Sequence, residues 1–256
     1  MGCLYSEKVE SKTKDRLIIA LDTSVKEEAL QLVEKLKDHV GYFKIGLELF
    51  SEFGPEIIKT VKDKNCKIFF DGKFMDIPNT VSKAVSNMVK HKVDMLNVYM
   101  TGGAVMLQEA KKSLLETARL NNLTPPKLLG VTVLTSMARE VLEEDLKIKI
   151  QLEEYVLHLA KLGLKNNLDG IICSANEAKA IHDFVLSQGK KDFLIVTPGV
   201  RPSWAETNDQ SRIATPKEAI LNGVTHIVIG RPVTKAKDPI DAAKRIIGEI
   251  EEAVRV

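Results

Sequence analysis

Between Lys67 and Thr80 the chain reads KIFFDGKFMDIPNT. A short apolar run, Ile68-Phe69-Phe70, opens into Asp71, Lys73 and Asp76. A carboxylate beside an ammonium favours the charged form of both groups. A lysine held protonated by flanking acids is a general acid, and it stabilises a developing carbanion electrostatically. Lys44, near the end of the apolar run Tyr42 to Ile45, supplies a second ammonium. Lys44, Asp71, Lys73 and Asp76 together make an array of alternating charge, on a loop just after a strand, that has no need of a metal or an organic cofactor. The plainer reading is an ion-pair cluster bracing a loop. With 28% charged residues, Asp-x-Lys-x-x-Asp arises often by chance, so its position in the fold must decide.

A second cluster lies late in the chain. Thr197-Pro198-Gly199-Val200-Arg201-Pro202 ends one apolar run and Gly230-Arg231-Pro232 ends the next, with Asp209 and Gln210 between them. Glycines let backbone N–H groups approach an anion, and arginine offers a planar, bidentate charge. The pattern suits a phosphate; loop glycines and solvated arginines are the alternative.

Eight apolar runs are candidate strands: 17–21, 42–45, 68–70, 93–98, 128–134, 170–173, 193–196 and 226–229. Several are continuous rather than alternating, as expected of strands buried on both faces. Between them, apolar residues recur at helical spacing, as in Val25, Ala29, Leu32, Val33 and Leu36, or Val81, Val85, Met88 and Val89. Pro78 suits a helix's first turn. Eight strands alternating with about eight helices predict an α/β protein, a single-domain (β/α)8 TIM barrel over 16–256, with a doubly wound open sheet as the alternative. Such barrels work at the C-terminal ends of their strands. The residues there are Asp22, Lys44, Asp71, Lys73, Thr135, Ser136, Arg201, Gly230 and Arg231, a set rich in charge of alternating sign.

Composition excludes several classes. The net charge of +2 argues for neither nucleic acid nor membrane as partner, so an anionic ligand needs a local cluster. Cys3, Cys66 and Cys173 have neither metal spacing nor a disulfide framework and read as reduced thiols of a cytoplasmic protein. No apolar run reaches membrane-spanning length. The five histidines include no pair at metal-ligand spacing. Met1-Gly2-Cys3 with Ser6 fits the loose N-myristoylation pattern, although an incidental leader is the simpler reading, and 1–15 is expected to be flexible.

From about Asp15 to the C-terminus the chain resembles the orotidine 5'-phosphate decarboxylase family. The resemblance is carried by IIALD, FKIG, FFDGKFMDIPNT, GVTVLTSM, TPGVRP, NDQSRIATPKEAI and VIGRPVTKAKDP, in that order and register. It implies conversion of orotidylate to UMP and CO2 in pyrimidine biosynthesis, without a cofactor or metal. Asp22 and Lys44 would contact the ribose, Asp71 would face the departing carboxylate, and Lys73 would protonate pyrimidine C6. Thr135 or Ser136 would bond the pyrimidine edge, and Arg201, Gln210, Gly230 and Arg231 would hold the phosphate. Asp76, Ile77 and Thr80 would reach the neighbouring site of a homodimer. Gly72 departs from the family, which commonly has a larger apolar residue there; it is expected to loosen the loop. The stretch from Ser203 to Asp209 also has its own composition. Related Mg-dependent sugar-phosphate decarboxylases and hexulose-phosphate synthases carry an acid where this chain has Lys44, which argues against them.

Overall fold

The computed structural model describes residues 13–137, 139–205 and 214–255. The eight strands are β1 (Leu17–Ala20), β2 (Tyr42–Gly46), β3 (Lys67–Phe74), β4 (Met95–Tyr99), β5 (Lys127–Val131), β6 (Gly170–Ile172), β7 (Leu194–Pro198) and β8 (His226–Ile229). Every neighbouring pair is parallel, and β8 returns to β1 to close the barrel. The eight expected strands are therefore present, as a closed barrel and not an open sheet. The helices on its outside include α1 (Lys26–Leu36), α2 (Leu47–Phe53), α3 (Pro55–Lys62), α4 (Pro78–Lys90), α5 (Gly103–Leu120) and α6 (Leu152–Lys165). They continue with α7 (Ala175–Ser187), α8 (Pro216–Leu221), α9 (Arg231–Thr234) and α10 (Pro239–Val254).

Local chemistry sets the helix starts. Proline opens α3, α4, α8 and α10, where its missing N–H has no intrahelical partner to lose. Thr215 and Glu218 form a reciprocal capping box at α8, and the Asp238 carboxylate accepts from two backbone N–H groups at the start of α10.

Strand register is fixed at the N-terminal end of the barrel by a repeated device. The residue just before each of β4, β6 and β8 reaches back to a backbone N–H of the preceding strand. Asp94 accepts from Ile68 N at 2.7 Å, Asp169 from Leu128 N at 2.8 Å, and Thr225 from Ile195 N at 2.9 Å. Lys62 and Lys111 neutralise the two aspartates at 2.8 and 2.6 Å. A one-residue slip would orphan each of these groups and turn the core side chains outward. Packing begins before residue 16: Thr13 is buried, and Lys67 bonds Asp15 at 3.2 Å.

The core has two compartments. The larger lies between sheet and helices; the smaller fills the barrel with inward residues including Ile18, Ala20, Phe69, Met95, Leu129 and Val228. Phe70 points outward, edge-on to Phe50 at 4.8 Å between centroids and tilted on Phe74 at 5.6 Å. Its ring occupies the space beside Gly72, where an added Cβ would meet Phe70 Cε1 at 2.3 Å. Gly72 is thus not a loosened loop position: the Phe70 ring fills the volume that a larger residue at 72 would take.

Gly72→Ala should therefore destabilise by about 1–3 kcal/mol, because overpacking against a wedged ring outweighs the entropy gained in the unfolded chain. Urea unfolding should show this, with part of the loss recovered in Phe70→Leu/Gly72→Ala. At the barrel base, burial, reinforced by the nearby Arg16 charge, pushes the His226 imidazole down to about 4. The unfolded histidine gains its proton near pH 6.5 and the folded one only near 4, so stability is present above 6.5 and lost as pH falls through this window. The loss is at most about 3 kcal/mol. Unfolding free energies measured from pH 7 to 4 should fall less steeply in His226→Gln.

Candidate active site

At the C-terminal mouth of the barrel, the parallel register brings inward residues of adjacent strands side by side. Ala20 pairs with Lys44, Lys44 with Phe69, and Gly46 with Asp71. The side chains of Asp22, Lys44, Asp71 and Lys73 form a continuous chain of charge. Lys44 Nζ lies 2.9 Å from Asp22 Oδ1 and 3.4 Å from Asp71 Oδ2, and Lys73 Nζ lies 2.8 Å from Asp71 Oδ1. Burial alone would lower the Lys44 pKa, but the Asp71 and Asp22 carboxylates together outweigh it, and the net effect is upward. Lys44 is a fixed cation at neutral pH.

Asp71 and Lys73 do not sit on a loop, as their sequence context suggested. β3 continues to Phe74 through an irregularity: Phe70 pairs with Leu96 and Phe74 with Val98, so four steps on β3 oppose two on β4. Lys73 lies inside this bulge at φ 47°, left-handed backbone that a lysine seldom adopts. Its N–H has turned to the side chain of Asn97, whose Oδ1 accepts it at 2.7 Å. The Asn97 Nδ2 donates to Asp71 Oδ1, also at 2.7 Å. Asn97 is fully buried in the middle of β4. Sequence reading passed over it because one polar residue in the run MLNVY looks incidental. Two residues on, burial and the Asp71 charge push the Tyr99 phenol up, keeping it protonated.

One cavity of about 330 Å3 gathers most of the expected site. Asp22, Lys44, Asp71, Lys73, Thr135, Ser136, Arg201, Gly230 and Arg231 all line it. Its floor is apolar, made of Ala20, Phe69, Val131, Ile172 and Val228. Arg201 is buried, whereas Arg231 is exposed at the rim. Gly199, at φ 79°, makes the turn that a side-chain-bearing residue would strain. Thr234 and Lys235 also line the wall and were not singled out in the sequence. The cavity thus brings together apolar residues, a charge array from the ends of β1, β2 and β3, and arginines from the ends of β7 and β8, with Gly230 next to Asp22 of the array.

Three expected residues fall elsewhere. Asp76, Ile77 and Thr80 are exposed and do not line this cavity. Asp76 Oδ1 accepts from the Ile77 N–H at 2.6 Å and does not join the array within one chain. Gln210 lies outside the described residues, as do most of 203–209 and the leader motif at Met1-Gly2-Cys3. Among the described residues no group of three or more His, Cys, Asp or Glu side chains converges as metal ligands, and no helix is long and apolar enough to cross a membrane.

A family model described as orotidine 5'-phosphate decarboxylase / HUMPS family matches residues 15–246. A Moorella thermoacetica protein named orotidine 5'-phosphate decarboxylase is 42% identical over 245 residues, covering 96% of this chain and 96% of its own. A Syntrophomonas wolfei protein of the same name is 40% identical over 242 residues, covering 94% of this chain and all of its own. The crystal structure of orotidine 5'-phosphate decarboxylase from Lactobacillus acidophilus superposes with a TM-score of 0.80 at 37% identity, covering 91% of this chain and 98% of its own.

If the arginine side of the cavity holds phosphate, inorganic phosphate should raise the thermal midpoint in proportion to ln(1 + [L]/Kd). Arg231→Ala should weaken that binding about 10- to 100-fold, the range expected for a lost charge-assisted hydrogen bond. Differential scanning fluorimetry across a phosphate titration measures both.

Proposed function

The chain belongs to the orotidine 5'-phosphate decarboxylase / HUMPS family, and we propose from that premise that it is a carboxy-lyase converting orotidine 5'-phosphate to UMP and CO2 in pyrimidine biosynthesis. One observation carries the reading: Lys73 and Asp71 stand 2.8 Å apart in the same apolar-floored cavity as Arg201 and Arg231. The base plane takes the floor, the phosphate meets the arginines and Gly230, and Asp22 and Lys44 meet the ribose; Gln210, outside the described residues, is a further phosphate ligand by the family's pattern. Thr135 or Ser136 bonds the pyrimidine edge.

In this reading the substrate carboxylate lies against Asp71. The bond from C6 to the carboxylate breaks, CO2 departs, and the electron pair stays on C6. The Lys73 ammonium stabilises that pair and then transfers a proton to C6, giving UMP; the neutral amine regains its proton from water. Phosphate binding far from the breaking bond contributes energy for assembling the site in the transition state. The cation facing the carbanion is the chain's own, so the reaction needs no cofactor. Lys44, between Asp22 and Asp71, occupies the place where the Mg-dependent relatives carry an acid, which disfavours that chemistry here.

Asp76, Ile77 and Thr80 complete the site of a second copy in a cytoplasmic homodimer. Their exposure supports this assignment, as does exposed apolar surface at Met75 and Ile77, 56% and 66% accessible. A second acid arriving from the partner would place Lys73 between two carboxylates.

Incubation with orotidine 5'-phosphate in EDTA, followed by ultraviolet absorbance, should show substrate loss in the wild type. Lys73→Ala should retain UMP binding within about tenfold and lose turnover by at least about 10⁴-fold, at the upper end of the effect of a positioned acid. Near-normal turnover in folded Lys73→Ala would remove Lys73 as the proton donor.

A further inference from the structure

We infer that Asn97 is a positioning residue for the decarboxylation, an assignment that rests on the reading above: it holds the Lys73 backbone in its left-handed turn and orients the Asp71 carboxylate. Both ends of its amide are committed. An ionised carboxylate only accepts, so the group facing Asp71 Oδ1 at 2.7 Å must be the NH2. The carbonyl oxygen is then the atom that accepts from Lys73 N, also at 2.7 Å. The amide therefore has one orientation, and it links the Lys73 backbone to the Asp71 carboxylate through different atoms.

The bulge makes this link necessary. With four steps of β3 set against two of β4, the Lys73 N–H has lost its place in the ladder. At φ 47° the backbone needs a partner to hold it. Asn97 stands on β4 beside the bulge, fully buried, and supplies that partner as a side chain. It also gives Asp71 a neutral donor where a third cation would leave the array unbalanced. Neither Lys44 nor Lys73 can do this, because each must face the cavity.

Two variants separate the two roles. Asn97→Asp is isosteric and keeps an oxygen for the Lys73 N–H, but it replaces the donor to Asp71 with a second carboxylate. Asn97→Ala removes both bonds without adding charge. In each folded variant, kcat for orotidylate should fall about 100-fold, as for a displacement of about 1 Å, while UMP affinity stays within about threefold. Activity of Asn97→Asp relative to wild type should rise as pH falls from about 8 to about 6, because protonating the introduced carboxyl restores an O–H donor toward Asp71. For Asn97→Ala the ratio should stay flat. Amide hydrogen exchange at Lys73 should be slow in wild type and Asn97→Asp and fast in Asn97→Ala. The inference is overturned by a kcat within about threefold of wild type in folded Asn97→Ala, by a pH-independent ratio for Asn97→Asp, or by unchanged Lys73 exchange in Asn97→Ala. Failure of the wild type itself to turn over orotidylate would strike the decarboxylase reading instead, and the exchange measurement would still decide whether Asn97 holds Lys73.

Discussion

Burying the carboxylate of Asp71 is the constraint around which the mouth of the barrel is arranged. At 8% exposure it has lost most of its water, and a desolvated anion costs several kcal/mol unless other groups replace that water. Three do: the Lys73 and Lys44 ammoniums and the Asn97 amide. Their sources are different strands. Lys44 comes from β2, Lys73 from the bulged end of β3 and Asn97 from β4, so the anion is compensated only when these strands are in register. Asp22, from the end of β1, extends the array and balances Lys44. Two acids and two bases then share a partly closed space with no net charge, which keeps a dense array compatible with folding.

In the closed order of eight strands, β3 with Asp71 and Lys73 stands opposite β7, whose end leads to Arg201, whereas β8 with Gly230 and Arg231 adjoins β1 and the Asp22 end of the array. A ligand filling the cavity would face both charged and apolar lining. The N-terminal end of the barrel is given over to register instead. There the reach of Asp94, Asp169 and Thr225 to the preceding strands fixes the frame from which the mouth residues project.

Much of this was legible in the sequence, for identifiable reasons. Continuous apolar runs marked the strands because both faces of a parallel barrel are buried, and the charged residues at their ends marked the mouth. The bulge was not legible. FFDGKF reads as a strand followed by a loop, because a glycine and two charges normally end a strand, and only pairing with β4 shows that β3 continues. Asn97 was hidden by its apolar neighbours. The reason for Gly72 lies in the orientation of the Phe70 ring, which no spacing rule encodes. Asp76, Ile77 and Thr80 are exposed, so the fold of the chain gives them no contact with the cavity.

The backbone at Lys73 has an evolutionary corollary. A left-handed conformation costs a non-glycine residue on the order of 1–3 kcal/mol, a sizeable share of the marginal stability of a typical domain. Glycine would relieve that cost at once, so drift under selection for folding alone would tend to erase the lysine. Its retention would record selection for chemistry against selection for stability, at one defined backbone angle. A descendant of this chain released from that selection would be expected to show the change at position 73 early, in an otherwise intact barrel.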